Sequence, residues 1–114
     1  MFGFSSHLRY FLCCKEIDMR NGFDGLSGIV RNSLGKDPIS GDVFIFINRV
    51  RTHIKILYWD GDGFALYYKR LERGRYAGTT DNDLSKQINR EELMMLLEGL
   101  SFKEITKKKR YSFS

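Results

Sequence analysis

The spacing of apolar and polar residues divides the chain into short segments that predict several strands and two helices. Two runs, 53–59 and 64–71, flank the turn sequence Asp60–Gly63; the first is rich in β-branched and aromatic residues and the second in aromatic residues. Half-buried strands have such compositions. Aspartate and glycine tolerate the positive φ angles of tight turns. Residues 53–71 are therefore predicted to form one antiparallel hairpin.

Two further strands are predicted before the hairpin. Residues 8–14 form an apolar run near the start of the chain. Residues 43–47 are continuously apolar and are preceded by the turn signals of 36–42, which contain proline and glycine. A short apolar run between turn signals is typical of a strand buried on both faces, so 43–47 is predicted to be central in the sheet. After the hairpin, Gly78–Asp83 is predicted to form a polar loop, and no element is predicted between this loop and the second helix.

Two segments have the spacing of amphipathic helices. Between Phe23 and Leu34, apolar residues recur at intervals that place them on one side of a helix, and Asp18 or Asn21 is expected to cap its start. The second helix is predicted over 90–99, with Asn89 as its N-cap and leucines on its buried side.

These elements predict an α+β fold. We expect a small single domain with an antiparallel sheet of four to five strands and two or three packed helices. The domain is expected to span residues 1–102, and residues 103–114 are expected to form a basic, flexible tail. A chain of 114 residues is long enough for one core of this kind.

Charge and cysteine content narrow the class of protein. Nineteen lysines and arginines against fourteen acidic residues give a net charge of +5, which favours a polyanionic partner such as nucleic acid. No apolar run is long enough for a membrane helix, so no membrane association is expected. Cys13 and Cys14 are adjacent and lack the spacing of a zinc site, which favours two reduced thiols in a cytoplasmic protein.

Some acidic residues are candidate metal ligands. Asp60, Asp62 and Glu72 are the most suggestive set, because nucleic-acid enzymes often hold magnesium with paired aspartates. However, Asp60–Gly63 lacks the ligand spacing of a calcium loop and is better explained as a solvated turn. No nucleophile–base pair is evident either. The sequence therefore predicts no catalytic residues, no metal, no cofactor and no enzymatic activity.

Basic and aromatic residues around the hairpin are the candidates for nucleic-acid binding. Four basic residues fall within seven positions after the second strand, and strand alternation places Lys55 and Trp59 on one face of the first strand. Basic and aromatic side chains together suit phosphate contact and base stacking. The alternative is that Trp59 is buried under a helix and Lys55 is a solvated edge charge. The predicted nucleic-acid-binding residues are Arg49, Arg51, Lys55, Trp59, Lys69, Arg70, Arg73 and Arg75.

The chain resembles a known family in four stretches that follow the same order. These are DMRNGFDGL (18–26), DPISGDVFIF (37–46), IKILYWDGDGFALYYKRLERGRY (54–76) and LLEGL (96–100). They are similar to the small accessory protein, called TnpB or the product of the second open reading frame, of bacterial insertion sequence sixty-six elements. The first fourteen residues, 77–90 and the basic tail match less clearly.

The resemblance implies a helper in transposition that acts beside a separate DDE-type transposase, which cuts the DNA strands. It implies two partners, the element-encoded transposase and the DNA of the element ends, and it supplies no catalytic residues. Two alternatives remain open: a pure protein–protein adaptor without DNA contact, and a metal-dependent nuclease. The sequence does not indicate the oligomeric state.

Overall fold

The structure is a computed structural model that describes residues 4–78 and 82–99. Seven elements follow one another within these residues. The strands are β1 (Tyr10–Cys13), β2 (Val43–Ile47), β3 (His53–Trp59), β4 (Phe64–Arg70) and β5 (Ser85–Ile88), and the helices are α1 (Phe23–Asn32) and α2 (Arg90–Leu97). The expected α+β class is confirmed. The expected basic tail, 103–114, lies outside the described residues.

All five strands form one sheet in the order β4-β3-β2-β1-β5. The strand β2 is its middle member, as its unbroken apolar sequence predicted, and all five of its residues are buried. The hairpin prediction is also confirmed, because β3 and β4 pair antiparallel with His53 opposite Arg70 and Trp59 opposite Phe64. Gly61 adopts a φ of 82° in the connecting turn, a conformation that glycine reaches without strain.

Two features of the sheet differ from the sequence prediction. The sheet is mixed rather than wholly antiparallel, because β1 and β2 run parallel and α1 connects them. The fifth strand, β5, was not predicted; it pairs antiparallel with β1 at one edge of the sheet. Its sequence, Ser-Lys-Gln-Ile, has little apolar periodicity, so its strand conformation depends on the neighbouring β1 rather than on its own residues.

Each face of the sheet carries its own core. One face packs Tyr10, Ile45, Ile54 and Ile56 with the buried leucines of α2. The opposite face packs Phe44 and other residues with Leu26 and Val30 of α1. Burial on both faces explains why β2 is apolar at every position. Tyr67 of β4 is partly buried and packs against the core on the α2 side.

The two helices begin differently. Asn89 caps α2 as predicted: its side chain accepts from the Glu92 amide, and the Glu92 side chain accepts from the Asn89 amide. The predicted cap of α1 is wrong. That helix begins after Gly22 without a side-chain cap, and the Asp18 carboxylate is instead bound by Arg20. In the described part of the chain, no helix is long and apolar enough to cross a membrane.

Candidate nucleic-acid interface

Strand directions bring four separate segments of the chain to the same end of the sheet. β1 and β2 both finish there, since they are parallel. β3 and β5 begin there and β4 finishes there, since each is antiparallel to its neighbour. The segments that follow β1, β2 and β4 therefore lie close together, with the residues preceding β5 beside them. We call this the basic end of the sheet.

Two backbone hydrogen bonds join the segment after β4 to the loop between β2 and β3. The Leu71 amide donates to the Thr52 carbonyl at 2.9 Å, and the Tyr76 amide donates to the Arg51 carbonyl at 2.7 Å. Residues 72–75 consequently form a short loop whose two ends are fixed against the β2–β3 loop. Gly74 has a φ of 73°, which suits the reversal within this loop.

Five arginines occupy these two loops and the adjoining end of β4. All five are exposed, and four of them, all but Arg70, have no side-chain hydrogen bond or ion pair with another described residue. Arg70 is paired with Glu72, whose carboxylate lies 2.9 Å from the guanidinium. That pair is exposed on both sides, so it contributes little to stability. The basic edge is defined by Arg49, Arg51, Arg70, Arg73 and Arg75.

The β2–β3 loop that carries Arg49 and Arg51 is held by an internal network. The Asn48 side-chain oxygen accepts from the amides of Thr52, at 2.9 Å, and His53, at 3.0 Å. The Thr52 hydroxyl lies 2.7 Å from Nδ1 of His53. Asparagine suits this position because its side chain can satisfy backbone donors a few residues further on. The network fixes the backbone from which the two arginines project.

Arg51 has an unusual backbone conformation. Its φ is 60°, and it is the one non-glycine residue with positive φ among those described. Side chains other than glycine pay about 1–2 kcal/mol in this region. Its amide donates to the Asn48 carbonyl and its own carbonyl accepts from Tyr76, so the surrounding hydrogen bonds hold it there. Such strain is concentrated at functional positions in many proteins.

The side chain of Arg51 lies against Gly78. A Cβ atom added at Gly78 would come within 2.8 Å of Nη1 of Arg51. The missing side chain at position 78 therefore leaves the space that the guanidinium occupies. This relationship was not evident from the sequence, because the two residues belong to segments that meet only at the basic end of the sheet.

Lys55 does not lie on the basic edge. Its side chain is 7% exposed, and its ammonium donates to the carbonyls of Met19 and Asn21 at 2.7 and 2.8 Å. The ammonium also lies 4.7 Å from the centre of the Tyr68 ring. Lys55 is too buried to contact a phosphate. For the same reason it is not the solvated edge charge that was the alternative. Lys55 instead joins the segment before α1 to the sheet.

The side chains of Lys69 and Trp59 are engaged elsewhere. The Lys69 ammonium donates to the Leu97 carbonyl at 3.0 Å, at the end of α2, where the helix dipole favours a cation. Trp59 lies at the turn end of β3, six residues from His53, which is about 20 Å along the strand. Its ring packs edge-on against Phe64. The structure thus unites five of the eight predicted residues.

Lys15 was not among the predicted site residues, although it is exposed directly after β1, at the basic end. In the sequence Lys15 is far from the predicted hairpin, around which the other basic residues were grouped. The signal that identifies it is the parallel pairing of β1 with β2, which places residue 15 beside the β2–β3 loop. Because the sequence does not show that pairing, it gives no reason to group Lys15 with the arginines.

Two groups near the basic end have altered acidity. Burial, with the nearby Tyr67 as a smaller cause, raises the pKa of Tyr76 to about 12. Burial also raises the pKa of the Cys13 thiol, which keeps this thiol protonated near neutral pH. Both groups are therefore uncharged parts of the core, and the charge at this end of the sheet comes from the exposed residues.

The candidate metal ligands Asp60, Asp62 and Glu72 do not lie together. Asp60 and Asp62 lie in the hairpin turn, at the opposite end of β3 from Glu72. Among residues 4–78 and 82–99, no group of three or more histidine, cysteine or acidic side chains is arranged to hold a metal ion. Glu72 is instead engaged with Arg70.

These observations define the class of protein: it is a small α+β domain, and loops of its mixed sheet form a cationic end. The chain belongs to the IS66 Orf2-like family, whose model matches residues 8–107. This is a family of insertion-element accessory proteins rather than of known enzymes. The resemblance drawn from the four sequence stretches is therefore confirmed.

Two relatives are similar over most of their length, and both come from Sinorhizobium fredii. The chain is 32% identical over 108 residues to the uncharacterized protein y4jC, with 95% of this chain and 92% of the relative covered. It is 31% identical over 97 residues to the uncharacterized protein y4hO, with 85% and 84% covered. No solved structure gives a significant match.

Proposed function

We propose that this accessory protein acts in transposition by binding the DNA of its insertion element through the basic edge. The observation that supports this most is the joining of two arginine-bearing loops by the Leu71–Thr52 and Tyr76–Arg51 hydrogen bonds. Arginines on fixed loops lose less freedom when they contact phosphates than arginines on a mobile segment do. The family's role in insertion elements agrees with such a partner.

The basic edge suits contact with phosphates rather than with base edges. Its arginines come from short loops and not from a helix or a strand pair that fits the major groove. Contacts of this kind fix a protein on DNA without reading its sequence. Sequence selection at the element ends would then belong to the transposase, which we expect to be the second partner in the same cytoplasmic complex.

Salt dependence tests the proposal. With Arg70 engaged by Glu72, four arginines are available for phosphates, and log K for duplex DNA is expected to fall against log salt with a slope of about −3.6. The double variant Arg73→Ala/Arg75→Ala should reduce this slope by about two units. Fluorescence anisotropy with labelled element ends, from about 50 to about 200 mM salt, measures it.

The control for that experiment is Arg31→Ala. Arg31 is exposed in the last turn of α1 and lies outside the basic edge, so its removal changes the net charge without changing the proposed interface. The slope should remain that of the unmodified protein. If each removed charge changed the slope by the same amount in Arg31→Ala and in the double variant, the effect would come from net charge and not from a site.

A protein–protein adaptor is the second candidate, and the edge strand β4 favours it. Within the described part of the chain β4 pairs only with β3, so its outer backbone groups are available to another strand. Tyr68, 53% exposed, adds an aromatic side chain to this edge. Retention of the transposase by the immobilised protein, without DNA and at a salt concentration that abolishes DNA binding, would support this function.

A nuclease is the third possibility, and it requires a separate assay. Labelled element ends are incubated with the purified protein and magnesium or manganese, and we expect the strands to remain intact. Cleavage that disappears in Asp60→Ala or Asp62→Ala would contradict the accessory function proposed here and would place a metal site in the hairpin turn.

A further inference from the structure

A cleft of about 390 Å³ lies at the carboxyl ends of the two parallel strands. Residues directly after β1 form one side, the β2–β3 loop forms another, and Ala77 and Gly78 complete it. In open α/β sheets, ligands bind in a crevice beyond the carboxyl ends of the parallel strands, which is the end of the sheet where this cleft lies. The volume falls in the range of small-molecule sites, roughly 300–1,000 Å³, and is sufficient for a nucleotide.

The charges around the cleft favour an anion. Lys15, Arg49 and Arg51 line it, and Glu16 is the one acidic residue on its walls. Three cations against one carboxylate leave an excess of two positive charges. The other polar side chain on the wall, that of Asn48, is occupied in holding the β2–β3 loop. Among the charged and amide side chains of the wall, those available to a ligand are therefore mainly cationic.

The position of Arg51 is the second, independent observation. Its strained backbone and its contact with Gly78, itself a residue of the cleft wall, place its guanidinium at the cleft. A planar guanidinium matches two phosphate oxygens at once, and arginine is favoured for that reason in phosphate recognition. The hydrogen bonds of the β2–β3 loop hold this backbone conformation, so the guanidinium extends from a fixed position on the cleft wall.

We propose that this cleft is a phosphate-binding site that accepts a nucleotide phosphate, with Arg51 as the principal contact and Arg49 and Lys15 as supporting charges. The phosphate has two possible sources, the terminal phosphate of a DNA strand and a free nucleotide. The first source deepens the proposed function and rests on it, because a protein that holds an element end would then distinguish a phosphorylated strand terminus from internal phosphodiesters.

The test compares two short single-stranded oligonucleotides that differ only in a 5′-phosphate or a 5′-hydroxyl group, with deoxyadenosine monophosphate and deoxyadenosine as free ligands. Isothermal titration with the full chain measures each. Preference of about tenfold or more for the phosphorylated oligonucleotide, with no binding of the free monophosphate, identifies the strand terminus as the source. Binding of the monophosphate but not of deoxyadenosine, in competition with the oligonucleotide, identifies a free nucleotide.

Two variants assign the effect to the cleft. Arg51→Asn keeps a side chain that tolerates the positive φ, and should weaken the phosphate-dependent binding by about ten- to a hundredfold. Arg49→Ala removes a supporting charge from the cleft wall, and should weaken the same binding by a smaller factor than Arg51→Asn. Circular dichroism and thermal unfolding of each variant establish that the fold is retained.

The variant Arg73→Ala/Arg75→Ala separates this inference from the proposed function. It should lower the affinity for both oligonucleotides while the preference for the 5′-phosphate remains. If the unmodified protein shows neither that preference nor binding of the monophosphate, or if folded Arg51→Asn retains them undiminished, the phosphate site is refuted. The salt dependence of duplex binding would be unaffected by that result, so the two proposals fail separately.

Discussion

The ammonium of Lys55 donates a 2.7 Å hydrogen bond to the backbone carbonyl of Met19. The two residues are distant in sequence, and this bond, with a second one to the Asn21 carbonyl, attaches the segment before α1 to the middle of β3. Because the lysine is buried, its charge is satisfied by the protein and not by solvent. Lys55 therefore stabilises the fold at a position where the sequence indicated a DNA contact.

Replacement of this lysine should affect stability and not DNA binding. Lys55→Met keeps most of the side-chain volume but removes both hydrogen bonds, and should lower the free energy of unfolding by about 2 kcal/mol. Urea denaturation measures the loss. Lys15→Met, which removes an exposed lysine, serves as the stability control and should change the value by less than about 0.5 kcal/mol.

The same variant discriminates between the two roles considered for Lys55. If the lysine contacted phosphate, Lys55→Met would reduce the salt slope of duplex binding by about one unit and leave stability nearly unchanged. We expect the reverse pattern, an unchanged slope with reduced stability.

The backbone of Arg51 should be more strained than that of Arg49, two residues earlier in the same loop. Asparagine tolerates the positive φ of position 51 better than arginine does, so Arg51→Asn should leave the free energy of unfolding unchanged or raise it by up to about 1 kcal/mol. Arg49→Asn is the matched control, since no positive φ occurs there, and should remain within about 0.5 kcal/mol. A clear loss of stability in Arg51→Asn would mean that the arginine side chain supports the loop.

Because the pKa of Tyr76 is raised, we expect the protein to lose stability at high pH. Its pKa is raised to about 12 in the folded protein, from an ordinary value of 10.0, because burial disfavours the phenolate. The stabilisation is therefore complete below about pH 10 and is lost as the pH rises from about 10 through about 12. Tyr76→Phe, which has no group to ionise, should lose less stability over that range than the unmodified protein.

Urea denaturation at neutral pH and at several values above pH 10 measures this difference. At neutral pH Tyr76→Phe should differ by less than about 1 kcal/mol, because the hydroxyl makes only a 3.4 Å contact with the Lys69 carbonyl. Tyr68→Phe, at an exposed tyrosine, should keep the full alkaline loss. Equal alkaline losses in Tyr76→Phe and the unmodified protein would contradict the assignment to Tyr76.

The sequence by itself determined the local elements. The alternation in 53–71 and the aspartate–glycine turn specify the β3–β4 hairpin, since side-chain period and turn chemistry act over a few residues. The apolar run 43–47 identified a strand buried on both faces, and Asn89 identified the start of α2. The four stretches that resemble the family also identified that family from the sequence alone.

Tertiary structure alone decided which segments meet. The parallel pairing of β1 with β2, the addition of β5 and the burial of Lys55 depend on contacts between residues far apart in sequence. Local periodicity says that a segment is a strand but not which strand it pairs with, because many pairings bury similar apolar area. For the same reason the sequence grouped Trp59 with arginines about 20 Å away, and missed Lys15 and Gly78 beside Arg51.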